Sequence, residues 1–212
     1  MEKQFITIKN NITTEFIEKK SKFITHLIRI TSEEQAKDFI KAMKKEHYNA
    51  AHVCSAFALG DNNEICRAND DGEPSGTAGA PMLDCITKNN LKNVCAVVIR
   101  YYGGIKLGTG GLVRAYTHGL IEAIKEVTLV EKKHALEIDL EIDYHLNGKI
   151  EYEIAKTPFL VNNLNYTDKI IYNIYVMKED EENFLQWIQE MTSNNFKILD
   201  RKEKELEFDI ND

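Results

Sequence analysis

The sequence predicts a two-domain chain of the α+β class, and three observations carry that reading. Its 212 residues suit one large domain or two small ones. Nine of the 11 glycines fall between Gly72 and Gly119, after which only Gly148 remains. Charge shifts in the same region: residues 1–130 carry a net charge of +2 and residues 131–212 a net charge of −9. Together these set a boundary in the short polar link Glu131-Lys132-Lys133-His134, with domains over 1–132 and 133–212. A hydrophobic share of 43% beside 29% charged residues suits a chain that buries a core.

The elements of the first half read as mixed α/β. Phe23 to Ile30 (FITHLIRI) is apolar enough for a strand. Ser32 offers an N-cap, and Glu33 and Glu34 in the first turn suit the helix dipole. That helix runs to about His47, with Ala36, Phe39, Ile40 and Met43 at helical spacing. Val53 to Leu59 and Glu64 to Ala68 read as a hairpin turning at Gly60-Asp61-Asn62-Asn63. Thr77 to Lys88 forms a short helix, with Ser75 and Thr77 as candidate caps. Val94 to Tyr101 (VCAVVIRY) is the continuous apolar run of a strand buried on both faces. Thr109 to Glu126 is a helix with Leu112, Val113, Tyr116 and Leu120 on its inner side.

The second half reads β-α-β-β-α-β. Ala135 to Tyr144 alternates apolar and polar residues, His145 to Ala155 is helical and ends before Pro158, and Phe159 to Tyr166 pairs with Lys169 to Met177. Glu181 to Ser193 is the second helix and Phe196 to Asp209 the last strand, an order that gives a ferredoxin-like split βαβ module.

Several classes of function are disfavoured. No run of 18 apolar residues exists, so no membrane partner is expected. Met1 to Asn10 lacks a basic region followed by an apolar one, which predicts a cytoplasmic protein. The cysteines at 54, 66, 85 and 95 form no Cys-x-x-Cys pair, and no histidine pair has zinc-finger spacing. Reduced thiols in or near the core are expected, with no cofactor.

Two loops carry the chemistry. The first, Asp70 to Gly79 (DDGEPSGTAG), sets Asp70, Asp71 and Glu73 beside Ser75 and Thr77. Its acids either pair with a nearby arginine and cap amides in a tight turn, or hold a hard cation such as magnesium. The second, Arg100 to Arg114 (RYYGGIKLGTGGLVR), leads a buried strand through five glycines into a helix. Backbone amides at that helix start, with Arg100, Lys106 and Arg114 and the turns at Gly103, Gly104, Gly108, Gly110 and Gly111, make an anion site. The segment lacks the Gly-Lys-Ser/Thr of a Walker loop and the third glycine of a dinucleotide fingerprint. Close helix–sheet packing is the structural use of the same glycines. His52 is a candidate general base, though a lone histidine is more commonly structural. Tyr101 and Tyr102 could stack a base, or simply pack.

At these two loops the sequence resembles the IMPACT family, and among it the two-domain bacterial members. The matching text is DDGEPSGTAGAPML at 70–83 and VVIRYYGGIKLGTGGLVRAY at 97–116, supported by SKFI at 21–24 and by His52 followed by Cys54. Tyr102 stands where many relatives carry phenylalanine, which keeps the ring. The resemblance implies a first domain with the domain-two-like fold of ribosomal protein S five. It implies a ferredoxin-like second domain similar to domains of elongation factor G. Eukaryotic relatives regulate translation initiation by competing for the activator of an eIF-two-alpha kinase, with a different second domain, and the family brings no established catalytic residues.

The expected function is therefore that of a non-enzymatic, translation-associated protein that contacts RNA, the ribosome or a protein partner. The alternatives are an enzyme acting on a small phosphorylated ligand, with magnesium on Asp70, Asp71 and Glu73, and a pure protein–protein adaptor.

Overall fold

A computed structural model describes residues 5–210. Residues 1–4 and 211–212, the outer ends of the two expected domains, lie outside the described residues. The chain forms two compact units among them, 5–131 with 208–210, and 132–207. Residues 208–210 thus group with the first unit, where the division by composition had put them in the second.

The first unit opens with β1 (Phe5–Ile8), β2 (Ile12–Glu18) and β3 (Ser21–Arg29), followed by α1 (Glu33–Glu46). Next come β4 (His52–Leu59), β5 (Ile65–Asn69), α2 (Gly79–Lys88), β6 (Val94–Tyr101) and α3 (Thr109–Glu126). Ser32 caps α1 as expected, its side chain accepting the Gln35 amide at 3.1 Å. β1 and β2 precede every strand the sequence pattern identified.

Five of the strands form an antiparallel sheet in the order β2-β3-β6-β4-β5. The expected doubly buried strand, β6, lies at its centre. Val94, Ala96 and Val98 face α2 and α3, packing with Phe23, Cys54, Met82 and Leu120. Cys95, Val97 and Ile99 face α1, packing with Val53, Phe57, Ala36 and Met43. Helices on both faces leave the sheet's ends as the places where polar side chains and loops converge. The cysteines are free, with Cys54, Cys85 and Cys95 buried.

The second unit follows the β-α-β-β-α-β order. Its elements are β7 (Leu129–Ile142), α4 (Asn147–Ile154), β8 (Leu160–Tyr166), β9 (Ile170–Met177), α5 (Glu181–Thr192) and β10 (Phe196–Asp209). The strands lie in the order β10-β7-β9-β8, with β7 and β8 antiparallel to β9. Leu136, Ile138 and Leu140 on β7 and Tyr172 and Ile174 on β9 close over Phe184 and Ile188 of α5. The polar link Glu131–His134 is no linker: it continues β7 as strand. Ion pairing helps to keep it extended, with Lys132 Nζ 2.5 Å from Glu205 Oε2. No helix among the described residues is long and apolar enough to cross a membrane.

Candidate functional site

The first loop closes over the end of the sheet where His52 on β4 and Arg100 on β6 stand opposite each other. Its three carboxylates are all engaged by the protein's own groups. Asp70 accepts the amides of Gly76 (2.8 Å), Ala78 (3.0 Å) and Gly79 (2.8 Å). Asp71 accepts the Val53 amide at 2.7 Å and pairs with Lys44 of α1. Glu73, with its side chain only 2% exposed, accepts from Arg100 Nη1 and from the Tyr116 hydroxyl, each at 2.8 Å. This is the arrangement of a tight turn whose acids pair with arginine and cap amides.

The expected caps are corrected. Neither Ser75 nor Thr77 caps α2, which has no side-chain cap at Ala78; the Thr77 hydroxyl donates to the Pro74 carbonyl at 2.7 Å. Asp70 does the work instead, because the loop folds back far enough for its carboxylate to reach the amides at the start of α2. Burial opposes the charged form of Asp70, but the Gly76, Gly79 and Ala78 amides outweigh it and hold the carboxyl below its usual value. Asp70→Ala is expected to cost about 1–2 kcal/mol in urea unfolding, the range of a lost cap. A depressed folded-state pKa stabilises above the ordinary aspartate value and loses that contribution as pH falls through the folded value. The gap between wild type and variant should therefore narrow at acid pH.

Glu73 and Arg100 tie the two loops together, since Arg100 opens the second loop and Tyr116 lies on α3 just beyond it. The Arg100 guanidinium also sits 5.7 Å from the Phe23 ring centre and 5.5 Å from that of Tyr102, while its Nε is buried without a hydrogen-bond partner. Arg100 is buried, so it is not presented to solvent as a free anion ligand. His52 Nδ1–H donates to the Asp71 carbonyl at 2.9 Å and leaves Nε2 3.7 Å from Glu73 Oε2. The Cys54 thiol donates to the Asp70 carbonyl at 3.0 Å and lies 3.3 Å from the Tyr116 hydroxyl. Burial pushes that thiol up to about 12, and burial likewise raises Tyr116, so neither group ionises near neutrality.

Sequence reading placed Tyr116 on the inner face of α3 and Cys54 among the motif matches, but gave neither a role in the loops. The signal for Tyr116 was its place on the inner stripe of α3, since a buried tyrosine hydroxyl needs a partner.

The second loop divides by role. Gly103 lies against backbone: an added Cβ would be 2.0 Å from the Lys20 carbonyl carbon and oxygen. Gly104 (φ +84°) and Gly108 (φ +74°) adopt positive-φ backbone in open space. Gly111 packs on Leu107, and an added Cβ at Gly110 would face Arg114 at 3.6 Å. Gly108 caps α3 without any side-chain hydrogen bond, and the first return bond of the helix is the Leu112 amide to the Gly108 carbonyl. The amides of Thr109, Gly110 and Gly111 therefore precede the helical ladder. Arg114, near Gly110, and Lys106, in the loop before the helix, are exposed. A cleft of about 420 Å³ adjoins this helix start, lined by Gly111, Arg114 and His118 on the helix side and by Phe16, Glu18 and Lys19 on the β2–β3 side. Tyr102 is 51% exposed near this loop, whereas the Tyr101 hydroxyl is 2.8 Å from His47 Nδ1 on the α1 side.

Comparison with known proteins identifies both halves of the chain. The Impact N-terminal domain matches residues 19–124, and a domain of unknown function, DUF1949, matches residues 140–195. The IMPACT family member YvyE of Bacillus subtilis (strain 168) is 43% identical over 204 residues, covering 96% of this chain and 93% of that protein. The IMPACT family member YigZ of Escherichia coli (strain K12) is 34% identical over 183 residues, covering 85% and 90%. A solved structure described as "Crystal structure of an hypothetical protein" aligns with 96% of this chain and 100% of its own, at a TM-score of 0.60 and 32% identity. With its glycine loops inside the Impact N-terminal match and its second unit carrying the DUF1949 match, the chain belongs to the IMPACT family as a two-domain, YigZ-like bacterial member.

Proposed function

We propose that the chain is a non-enzymatic, translation-associated protein of the cytoplasm whose first domain binds RNA, free or on the ribosome, at the start of α3. The observation that carries the reading is the α3 start without a side-chain cap, with exposed Arg114 on the helix and exposed Lys106 in the loop before it, opening on a cleft lined by Arg114, Lys19 and His118 with one carboxylate, Glu18. Amides ahead of the helical ladder and unburied cations are the groups that take phosphate oxygens without reading bases. In this reading Gly104, Gly108, Gly110 and Gly111 expose the amides. Arg100 and Gly103 support the floor, and Asp70, Asp71, Glu73, Ser75, Thr77 and His52 shape the adjoining loop. The domain-two-like fold of ribosomal protein S five and the ferredoxin-like fold, which the family resemblance implies, both recur in proteins that touch RNA. The acidic second domain then faces a protein partner rather than the polyanion.

The reading as an enzyme with magnesium on the first loop has weaker support, because Asp70, Asp71 and Glu73 already satisfy amides, Lys44, Arg100 and Tyr116. The test is single-stranded RNA binding by the full chain across a salt series. Lys106→Ala with Arg114→Ala should weaken binding and flatten the salt dependence of log K by about 1.4, two contacts at about 0.7 each. An unchanged slope would count against the site.

A further inference from the structure

The aromatic side chains around Arg100 form a pattern that phosphate binding does not use. Side chains alternate along β6, which puts Arg100 on one face of the sheet and Tyr101 on the other, where its hydroxyl meets His47. Tyr102 returns to the Arg100 side. Strand register sets Arg100 opposite Phe23 of β3, and Phe23 opposite Phe16 of β2. The two phenyl rings stack, with centres 5.0 Å apart and planes 8° apart. The Arg100 guanidinium lies 5.7 Å from the Phe23 ring centre and 5.5 Å from that of Tyr102. One row of planar groups therefore runs across three strands. Phe16 ends it in the cleft beside α3, and Tyr102 ends it in solvent.

Tyr102 is held in that exposed position. A buried guanidinium, itself fixed by Glu73, lies over one face of its ring. The next residue, Gly103, donates its amide to Ser21 Oγ at 3.2 Å and abuts the Lys20 backbone, so the chain cannot carry the ring inward. The open half of the ring is the face turned away from Arg100. Among residues 5–131 the exposed large apolar side chains are Ile17, Tyr48, Tyr102 and Ile105, so two of the four belong to this one loop. Lys106 follows them in the loop, and at the cleft end the exposed cations Arg114 and Lys19 outnumber the one carboxylate, Glu18.

A fixed ring with one open face, beside exposed cations, suits single-stranded nucleic acid: a base stacks on the ring while the backbone follows the charge. Paired bases inside a helix have no free face to offer, whereas unpaired bases stack on aromatic side chains. Phe16 and Arg100 stand two strand spacings apart, about 10 Å, so one short strand spans the row. We propose that Tyr102 is a stacking platform for one unpaired base of a single-stranded RNA whose backbone runs between this loop and the α3 cleft, making the site selective for single strands over duplex. The proposal rests on the reading of the α3 start as a phosphate site.

The test measures binding of the full chain to a single-stranded RNA of about eight nucleotides, within the usual size of one single-strand site. The same sequence as a duplex, and an abasic strand of equal length, are the comparison probes. Wild type should bind the single strand more tightly than either. Tyr102→Leu should weaken single-strand binding about tenfold and leave abasic-strand binding as it was. It should also leave the salt slope unchanged, because it removes no phosphate contact. Tyr102→Phe should bind like wild type, and so should Tyr48→Leu, a change at an 85%-exposed tyrosine outside the loop. Tyr102→Trp should show fluorescence quenching by the single strand that wild type, whose one tryptophan is Trp187, lacks. Should the leucine variant fold poorly, that quenching decides. If Lys106→Ala with Arg114→Ala lowers the salt slope but folded Tyr102→Leu binds single strands like wild type, the platform is overturned and the phosphate site stands. Equal wild-type affinity for single strand and duplex, or no quenching in Tyr102→Trp, also overturns the platform. A wild type that binds no RNA overturns the phosphate site and the platform with it.

Discussion

Glu73→Ala is expected to destabilise the first domain by about 3–5 kcal/mol, the range seen when one partner of a buried ion pair is removed. Glu73 and Arg100 meet at 2.8 Å with side chains 2% and 6% exposed, so water cannot replace the lost carboxylate. Truncation strands two groups at once. The Arg100 guanidinium loses its counter-charge while its Nε is already without a partner, and the Tyr116 hydroxyl loses its acceptor. Glu73→Gln, which keeps an acceptor but removes the charge, should fall between wild type and alanine. The combination Glu73→Leu, Arg100→Met and Tyr116→Phe should recover most of the loss, because replacing all partners by apolar groups leaves nothing unpaired. Urea unfolding of the full chain, read at constant m-value, measures the series. A Glu73→Ala loss below about 0.5 kcal/mol, the level of an ordinary surface change, would mean the pair contributes no net burial.

That network shows which part of the site could be read in the sequence. β6 and α3 were legible to the residue because one is a run of apolar side chains and the other repeats them at helical spacing. β1 and β2 were not: FITI is four residues long, and ITTEFIE sits at the sheet edge with half-exposed side chains, so neither presents a strong apolar contrast. The link at Glu131–His134 looked like a loop because it is polar, yet a strand needs only extended backbone and partners for its side chains. In the loops, the glycines announced unusual backbone, and the acids announced pairing or capping. What spacing could not supply was which acid met which partner. Glu73 reaches Arg100 27 residues away and Tyr116 43 residues away, while Asp70, not the nearer hydroxyls, caps α2. Pairings of that separation are products of the fold and leave no local pattern.

The glycines of the second loop separate structure from ligand binding, and Gly103→Ala is expected to have the largest effect among them, about 3 kcal/mol or more, as for a side chain forced into filled space. Its Cβ would lie 2.0 Å from the Lys20 carbonyl and 2.5 Å from the Ser21 nitrogen, both backbone atoms that no rotamer change can move. The Gly103 amide also donates to Ser21 Oγ at 3.2 Å, so the clash would pull apart the turn between β2 and β3. Lys19 and Lys20 both hold positive φ in that turn, at 45° and 62°, and Lys19 lines the cleft beside α3. Gly104→Ala meets no atom within 4 Å and carries only the left-handed backbone penalty, about 1–2 kcal/mol. Gly108→Ala costs more, because φ 74° with ψ 166° is backbone that essentially only glycine adopts, and it falls at the residue that sets the direction of the first α3 amides. Comparing unfolding with RNA binding across the three variants gives a pattern that packing alone cannot produce. Gly108→Ala should lose more stability than Gly104→Ala, and only Gly108→Ala should lose RNA affinity beyond its unfolded fraction. If the two variants bind RNA equally well, the start of α3 is a packing device and the phosphate contacts lie elsewhere.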